Sequence, residues 1–189
     1  MYIVDAKGLV CPKPVIMAKK ALKDNDEITV YVDNGTSKEN LEKMAVVMNL
    51  ECSTEIEGSV YKITLKKTGA SAAGEKSGSD YVVVFNNDSM GFGSEELGKA
   101  LVKSLIYTIT EAESLPSAML FYNGGIKLTS KGSGVLDDLK KLEEAGVEIL
   151  SCGTCLNYFG LSDALEVGGV TNMYVIFEKQ QKAGKIIRL

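Results

Sequence analysis

The chain has 189 residues, 45% apolar and 24% charged, with a formal net charge of −4. No run reaches the roughly 18 apolar residues of a membrane span, and the start "MYIVDAKGLVCP" lacks the basic and apolar blocks of a secretory signal, so a cytoplasmic globular protein is expected. Histidine and tryptophan are absent, which excludes Ser-His-Asp and Cys-His catalysis and every histidine metal site.

Four cysteines (Cys11, Cys52, Cys152 and Cys155) are expected to stay reduced in that compartment, and their spacing is a poor match to a zinc set. Chemistry must then come from thiols, carboxylates, lysines and backbone amides.

In chain order, "YIVDA" reads as a short strand and "PVIMAKKALKD" as a helix with Val15, Ile16, Ala18 and Leu22 near one face. "EITVYVD" alternates as a strand. "TSKENLEKMAVVMNL" reads as a helix capped at Thr36 or Ser37, with Leu41, Met44, Ala45 and Met48 as its apolar face. "ECSTEIEG" and "VYKITLKK" read as a hairpin turning at Glu57-Gly58. The order β-α-β-α-β-β predicts a two-layer sandwich, with two helices on one face of a four-stranded sheet. "KKTGASAAGEKSGSD" then reads as a flexible linker. The predicted boundaries are 1–67, a linker at 68–79, and 80–189.

The second unit opens on "YVVVF", the continuous apolar strand of a buried parallel sheet. A polar loop, a long helix through "LGKALVKSLIYTITEAE", the strand "SAMLFY" ending in "NGG", a helix closed by Gly146 and the strand "VEIL" follow. After "SCGTC", "LNYFG" reads as one helical turn. A further helix starts near Thr171-Asn172, and "KIIRL" reads as the last strand. Alternating strands and helices predict a mostly parallel, three-layer α/β domain.

Cys11 stands in "GLVCPKPV". Pro12 suits a first helical position, and a residue before proline is steered away from helical geometry, so Cys11 is expected at the helix start. Pro14 delays the regular helix by restricting Lys13 in the same way. The positive end of the helix dipole favours a thiolate, Lys13 adds a cation, and Gly8 allows a sharp turn. A small apolar residue filling a turn is the plainer alternative. A thiolate without a histidine base suits sulfur exchange better than hydrolysis.

These residues, with the β-α-β-α-β-β order, resemble the TusA (SirA-like) sulfur-carrier family, whose marker is Cys-Pro-x-Pro at the first helix. The resemblance implies a persulfide on Cys11, with Pro12 and Pro14 fixing the helix start, and no other cofactor. It implies a cysteine desulfurase or other sulfur or selenium donor, and an acceptor protein, as partners.

"VEILSCGTC" places Cys152 and Cys155 beyond the carboxyl end of a parallel strand, where open α/β sheets put their sites. The loops "NNDSMGFG" and "YNGG" are expected at the same edge. The spacing is that of a dithiol site, with Gly153 between the thiols; two inert thiols in a tight turn are the alternative. Thioredoxin-like function fits poorly, since the motif does not follow the first strand and Pro116 is the unit's one proline. Gly91, Gly93 and Gly98 do not match G-x-G-x-x-G. Cys52, in a strand, is expected to pack in the core.

The second unit resembles the DsrE/DsrF family, in which the reactive cysteine precedes a glycine by eight residues. Cys152 and Gly160 have that spacing, which implies Cys152 as the reactive thiol and Cys155 as a resolving one. The pairing of the two units resembles YedF-type proteins, which implies a link to selenium metabolism.

The leading reading is a sulfur carrier or sulfurtransferase relaying persulfide from Cys11 to the second unit. A thiol-disulfide redox or regulatory binding protein and an RNA-binding module are the alternatives. Residues 1–67 carry 10 basic and 10 acidic residues, and residues 81–189 carry 10 and 13. Nucleic acid is therefore not expected as a partner, nor is a membrane. A second copy of the chain, meeting through the second unit, is a further candidate partner.

Overall fold

The computed structural model describes residues 2–10, 12–68 and 80–188. The chain divides into two compact units, Met1–Glu75 and Lys76–Leu189.

The first unit runs β1 (Tyr2–Asp5), α1 (Lys13–Asp24), β2 (Glu27–Val32), α2 (Gly35–Val47), β3 (Leu50–Glu57) and β4 (Val60–Lys67). The sheet order is β1-β2-β4-β3, with β1 parallel to β2 and the other pairs antiparallel. Alternation sends Ile28, Val30, Val32, Ile63 and Leu65 to the helix side, where all are fully buried against Ala18, Leu22, Leu41 and Ala45. This is the two-layer sandwich expected from the pattern.

Two details differ from the sequence reading. The second helix begins at Gly35, capped by Asn34, whose side chain accepts from the Ser37 N–H at 2.8 Å. Asn reaches the cap first, so Thr36 and Ser37 fall inside the first turn, and Met48 ends the helix exposed. Cys52 is exposed rather than packed. Its strand is the sheet's edge, and its register partner Leu65 is fully buried. The core therefore ends one strand inward of Cys52.

The second unit runs β5 (Tyr81–Phe85), α3 (Glu95–Thr110), β6 (Ala118–Phe121), a 3-10 segment (Asn123–Thr129), α4 (Leu136–Glu144), β7 (Glu148–Cys152), α5 (Gly153–Tyr158), a 3-10 turn (Ser162–Ala164), β8 (Gly169–Thr171), α6 (Met173–Lys182) and β9 (Lys185–Arg188). Every strand pair in the order β8-β7-β6-β5-β9 is parallel. Two apolar clusters occupy the two faces. Val83, Phe85, Met119 and Phe121 lie in one; Val82, Val84, Ala118, Leu120 and Ile176 lie in the other. That two-sided burial is why "YVVVF" and "AMLF" read as unbroken apolar runs. The 3-10 segment and the short strand β8 carry no periodic apolar signal and are additions to the predicted elements.

Candidate functional site

In the first unit the chain leaving β1 is fastened before it reaches the helix. Gly8, at φ 72°, turns it, and its N–H donates to Asp33 Oδ2 at 2.8 Å. The Leu9 carbonyl accepts from Asn34 Nδ2 at 3.2 Å and Ser37 Oγ at 3.4 Å. The loop is thus pinned to the entry of α2 by residues far away in sequence. Pro12 occupies the N-cap position of α1 and Pro14 the second helical position, so the helix starts one residue later than a Pro12 start would place it. Pro14 is buried with Ala18 and Leu22, spaced four apart on one face. The first turn of α1 carries no acidic residue of its own, and the Lys13 N–H donates to the Val10 carbonyl at 3.2 Å. Lys13 is the first helical residue. Cys11 lies outside the described residues, immediately before this helix start.

In the second unit Cys152 ends β7 and caps α5, and it is 2% exposed. Gly153 follows with no room to spare: a Cβ there would meet Val170 at 2.9 Å. Cys155, one turn on, is half-buried. Its sulfur accepts the Asn123 backbone N–H at 3.1 Å. Burial pushes the Cys155 thiol above its ordinary value, the Asn123 N–H pulls it back in part, and the adjacent Cys152 thiol raises it again. The two thiols and the Asn123 amide therefore form one cluster at the carboxyl edge of the sheet.

Several contacts hold Asn123 in place. It adopts a left-handed conformation at φ 49°, which Asn tolerates better than most residues. The preceding Tyr122 N–H donates to the Phe85 carbonyl at 3.1 Å, and Gly125 N–H to Tyr122 at 3.0 Å. Gly125 packs so closely on β5 that a Cβ would lie 2.2 Å from the Phe85 oxygen. Asn87 sits against Gly124. The loops after β5 and β6 thus gather beside "SCGTC", as the parallel order predicts. Beneath them Thr129 and Ser151, both fully buried, share a hydroxyl hydrogen bond of 2.8 Å.

Gly160 ends α5 at φ 66°. Leu161 N–H bonds the Leu156 carbonyl at 2.8 Å and Gly160 N–H the Asn157 carbonyl at 3.1 Å, the Schellman pattern that calls for glycine. Sequence reasoning missed Asn123, because a backbone donor leaves no residue-type signature; the "NGG" turn was its one visible trace.

The family described as "Sulfurtransferase TusA" matches residues 2–67. A SirA-like protein from Desulfitobacterium hafniense is 42% identical over 35% of this chain and 96% of its own, with a TM-score of 0.33. The ychN protein from E. coli is 18% identical over 59% of this chain and 99% of its own, with a TM-score of 0.44. A protein of unknown function from Methanobacterium thermoautotrophicum is 21% identical over 58% of this chain and 97% of its own, also at 0.44. No curated protein matches the chain. With the family match spanning all four strands and both helices of the first unit, residues 2–67 are a TusA/SirA-like domain.

Proposed function

We propose that the protein is a cytoplasmic persulfide carrier that passes sulfur from Cys11, in a carrier domain of residues 1–67, to the Cys152/Cys155 pair in an acceptor domain of residues 80–189. We read the second domain as DsrE/DsrF-like and the whole as YedF-type. The observation that carries the acceptor assignment is the hydrogen bond from the Asn123 amide to the Cys155 sulfur, which favours the thiolate there against the burial and the Cys152 thiol that push its titration up. It favours Cys155 as the thiol that meets the incoming sulfur and Cys152 as the resolving one, the reverse of the roles that the Cys152–Gly160 spacing implies, since that glycine has its own use in ending α5.

The chemistry balances without a metal or an added oxidant. A cysteine desulfurase loads Cys11 as a persulfide: the Cys11 thiolate takes the outer sulfur of the donor's persulfide and the donor cysteine leaves as a thiolate, and a donor carrying selenium in that outer position would leave Cys11 as a selenosulfide. The Cys155 thiolate attacks the outer sulfur, a new S–S bond forms on Cys155, the old one breaks, and Cys11 leaves as a thiolate. An acceptor protein then takes the outer sulfur. In its absence the Cys152 thiolate attacks the inner sulfur of Cys155, giving the Cys152–Cys155 disulfide and hydrosulfide, and a dithiol reductant resets the pair.

The test is single-turnover transfer from persulfidated Cys11, followed by peptide mapping. Label should reach the Cys155 peptide at a rate independent of protein concentration in the intact chain. Cys11→Ser should abolish loading, and Cys155→Ser should abolish transfer. Full loading of the Cys11→Ser variant overturns the carrier reading, and undiminished transfer in Cys155→Ser overturns the acceptor reading. Repeating the loading with selenocysteine in place of cysteine as the desulfurase's substrate decides whether selenium is carried.

A further inference from the structure

The second unit carries a cleft that the thiol chemistry does not use. It has a volume of about 610 Å³ and lies between α3, the 3-10 segment Asn123–Thr129 and the loop leading into α4. Four lysines line it: Lys99, Lys103, Lys127 and Lys131. Asp88 is the one carboxylate in the lining, 3.7 Å from Lys127. Glu95 engages Lys99 at 2.7 Å from the same helix. Lys103 and Lys131 have no ion-pair partner among the described residues.

The floor is apolar: Ala100 is exposed and Leu161 half-buried in the lining, with Val102, Leu128 and Val135 buried beneath them. On one wall the Gly132 and Gly134 amides have no intramolecular acceptor among the described residues. Gly132 holds φ 90°, so the turn is built on a conformation that side chains rarely adopt.

Like charges gathered in a concave site repel one another, and its low-dielectric walls focus the resulting field. An anion relieves that repulsion, and free backbone amides supply further donors to its oxygens. The volume falls in the ~300–1,000 Å³ range of small-molecule sites, and an apolar floor calls for more than a bare inorganic ion. We propose that this cleft binds a small phosphorylated molecule of nucleotide size, its phosphates among Lys103, Lys131 and the Gly132 and Gly134 amides and its flat apolar part against Ala100 and Leu161. Lys127 lies in the same 3-10 segment as Asn123, so the cleft and the thiol cluster are built on one stretch of chain.

The test is titration of the full chain with ADP, adenosine and pyrophosphate, read by calorimetry and by amide chemical shifts. ADP should bind one site per chain at submillimolar concentration, shift the Gly132 and Gly134 amides and weaken as salt rises. Pyrophosphate should bind at least tenfold more weakly, and adenosine should not bind. Lys103→Gln with Lys131→Gln should weaken ADP at least tenfold and leave thiol alkylation at Cys155 unchanged. Four results overturn the proposal: no ADP binding at millimolar concentration, equal affinity for pyrophosphate, shifts confined to other residues, or unchanged affinity in the double variant with its amide spectrum otherwise native.

Discussion

The Asn123 backbone N–H donates to the Cys155 sulfur at 3.1 Å from a residue held at φ 49°. The donor belongs to the main chain, so its aim depends on the loop rather than on a side-chain rotamer. Asn123→Gly should keep the left-handed turn and leave the Cys155 titration in place. Asn123→Val should strain the turn by about 1–3 kcal/mol and move the titration upward as the stabilising N–H drifts away. Alkylation rate against pH, followed on the Cys155 peptide, checks both.

The same titration in the parent protein should have its midpoint above the ordinary free-thiol value, because burial is the largest influence on Cys155. Cys152→Ala removes a neighbour that raises it, so the midpoint should fall. The sign for stability follows from the raised value: the folded state holds the Cys155 proton more tightly than the unfolded chain does. The associated stability is complete below the unfolded thiol's titration and is lost as pH rises through the folded one. Denaturant midpoints of the second unit should therefore decline across the alkaline window, and less so in Cys155→Ser.

Mild oxidation should join Cys152 to Cys155 reversibly, since both are free thiols in contact one helical turn apart. Peptide mapping with and without reductant measures this. Both thiols remaining free under oxidant would remove the resolving role of Cys152.

Thr129 and Ser151 are each fully buried, and Thr129 also donates to the Ile126 carbonyl at 2.9 Å. Thr129→Val should cost about 1–3 kcal/mol, because it strands the Ser151 hydroxyl. Adding Ser151→Ala should recover part of that loss, and urea unfolding of the four members of the cycle gives the coupling.

Gly125→Ala should be among the most damaging single substitutions in the second unit. Its Cβ would collide with main-chain oxygen on a central strand rather than with a side chain that can swing aside. A loss of about 3 kcal/mol is expected, together with faster Cys155 modification as the loop lifts. Cys52→Ser on the exposed edge strand should change stability by no more than about 0.5 kcal/mol.

The elements themselves were legible because their causes are local. Alternation in "EITVYV", uninterrupted burial in "YVVVF" and the prolines around Cys11 each act within a few residues. The edge position of Cys52 was not legible, since it depends on which strands pair, and that is decided by residues outside its own strand. The cap at Asn34 was missed because three polar residues in "NGTS" compete for it, and one of them, Ser37, ends as the donor to the cap. At the second site the two thiols announced themselves by spacing, whereas their amide partner is a main-chain group 32 residues away. The lysine-lined cleft draws on α3 and on the loop before α4, and no window of sequence contains both.

The pairing of β9 with β5 sets a schedule for synthesis. Val82 lies opposite Ile186, so β5 is made early and waits while roughly a hundred residues are added before its outer neighbour exists. During that wait "YVVVF" offers an apolar, unpaired edge to any other nascent chain. The risk of misassembly for this protein is thus concentrated on the ribosome, and a nonsense codon or cleavage before Lys185 would leave that edge permanently open.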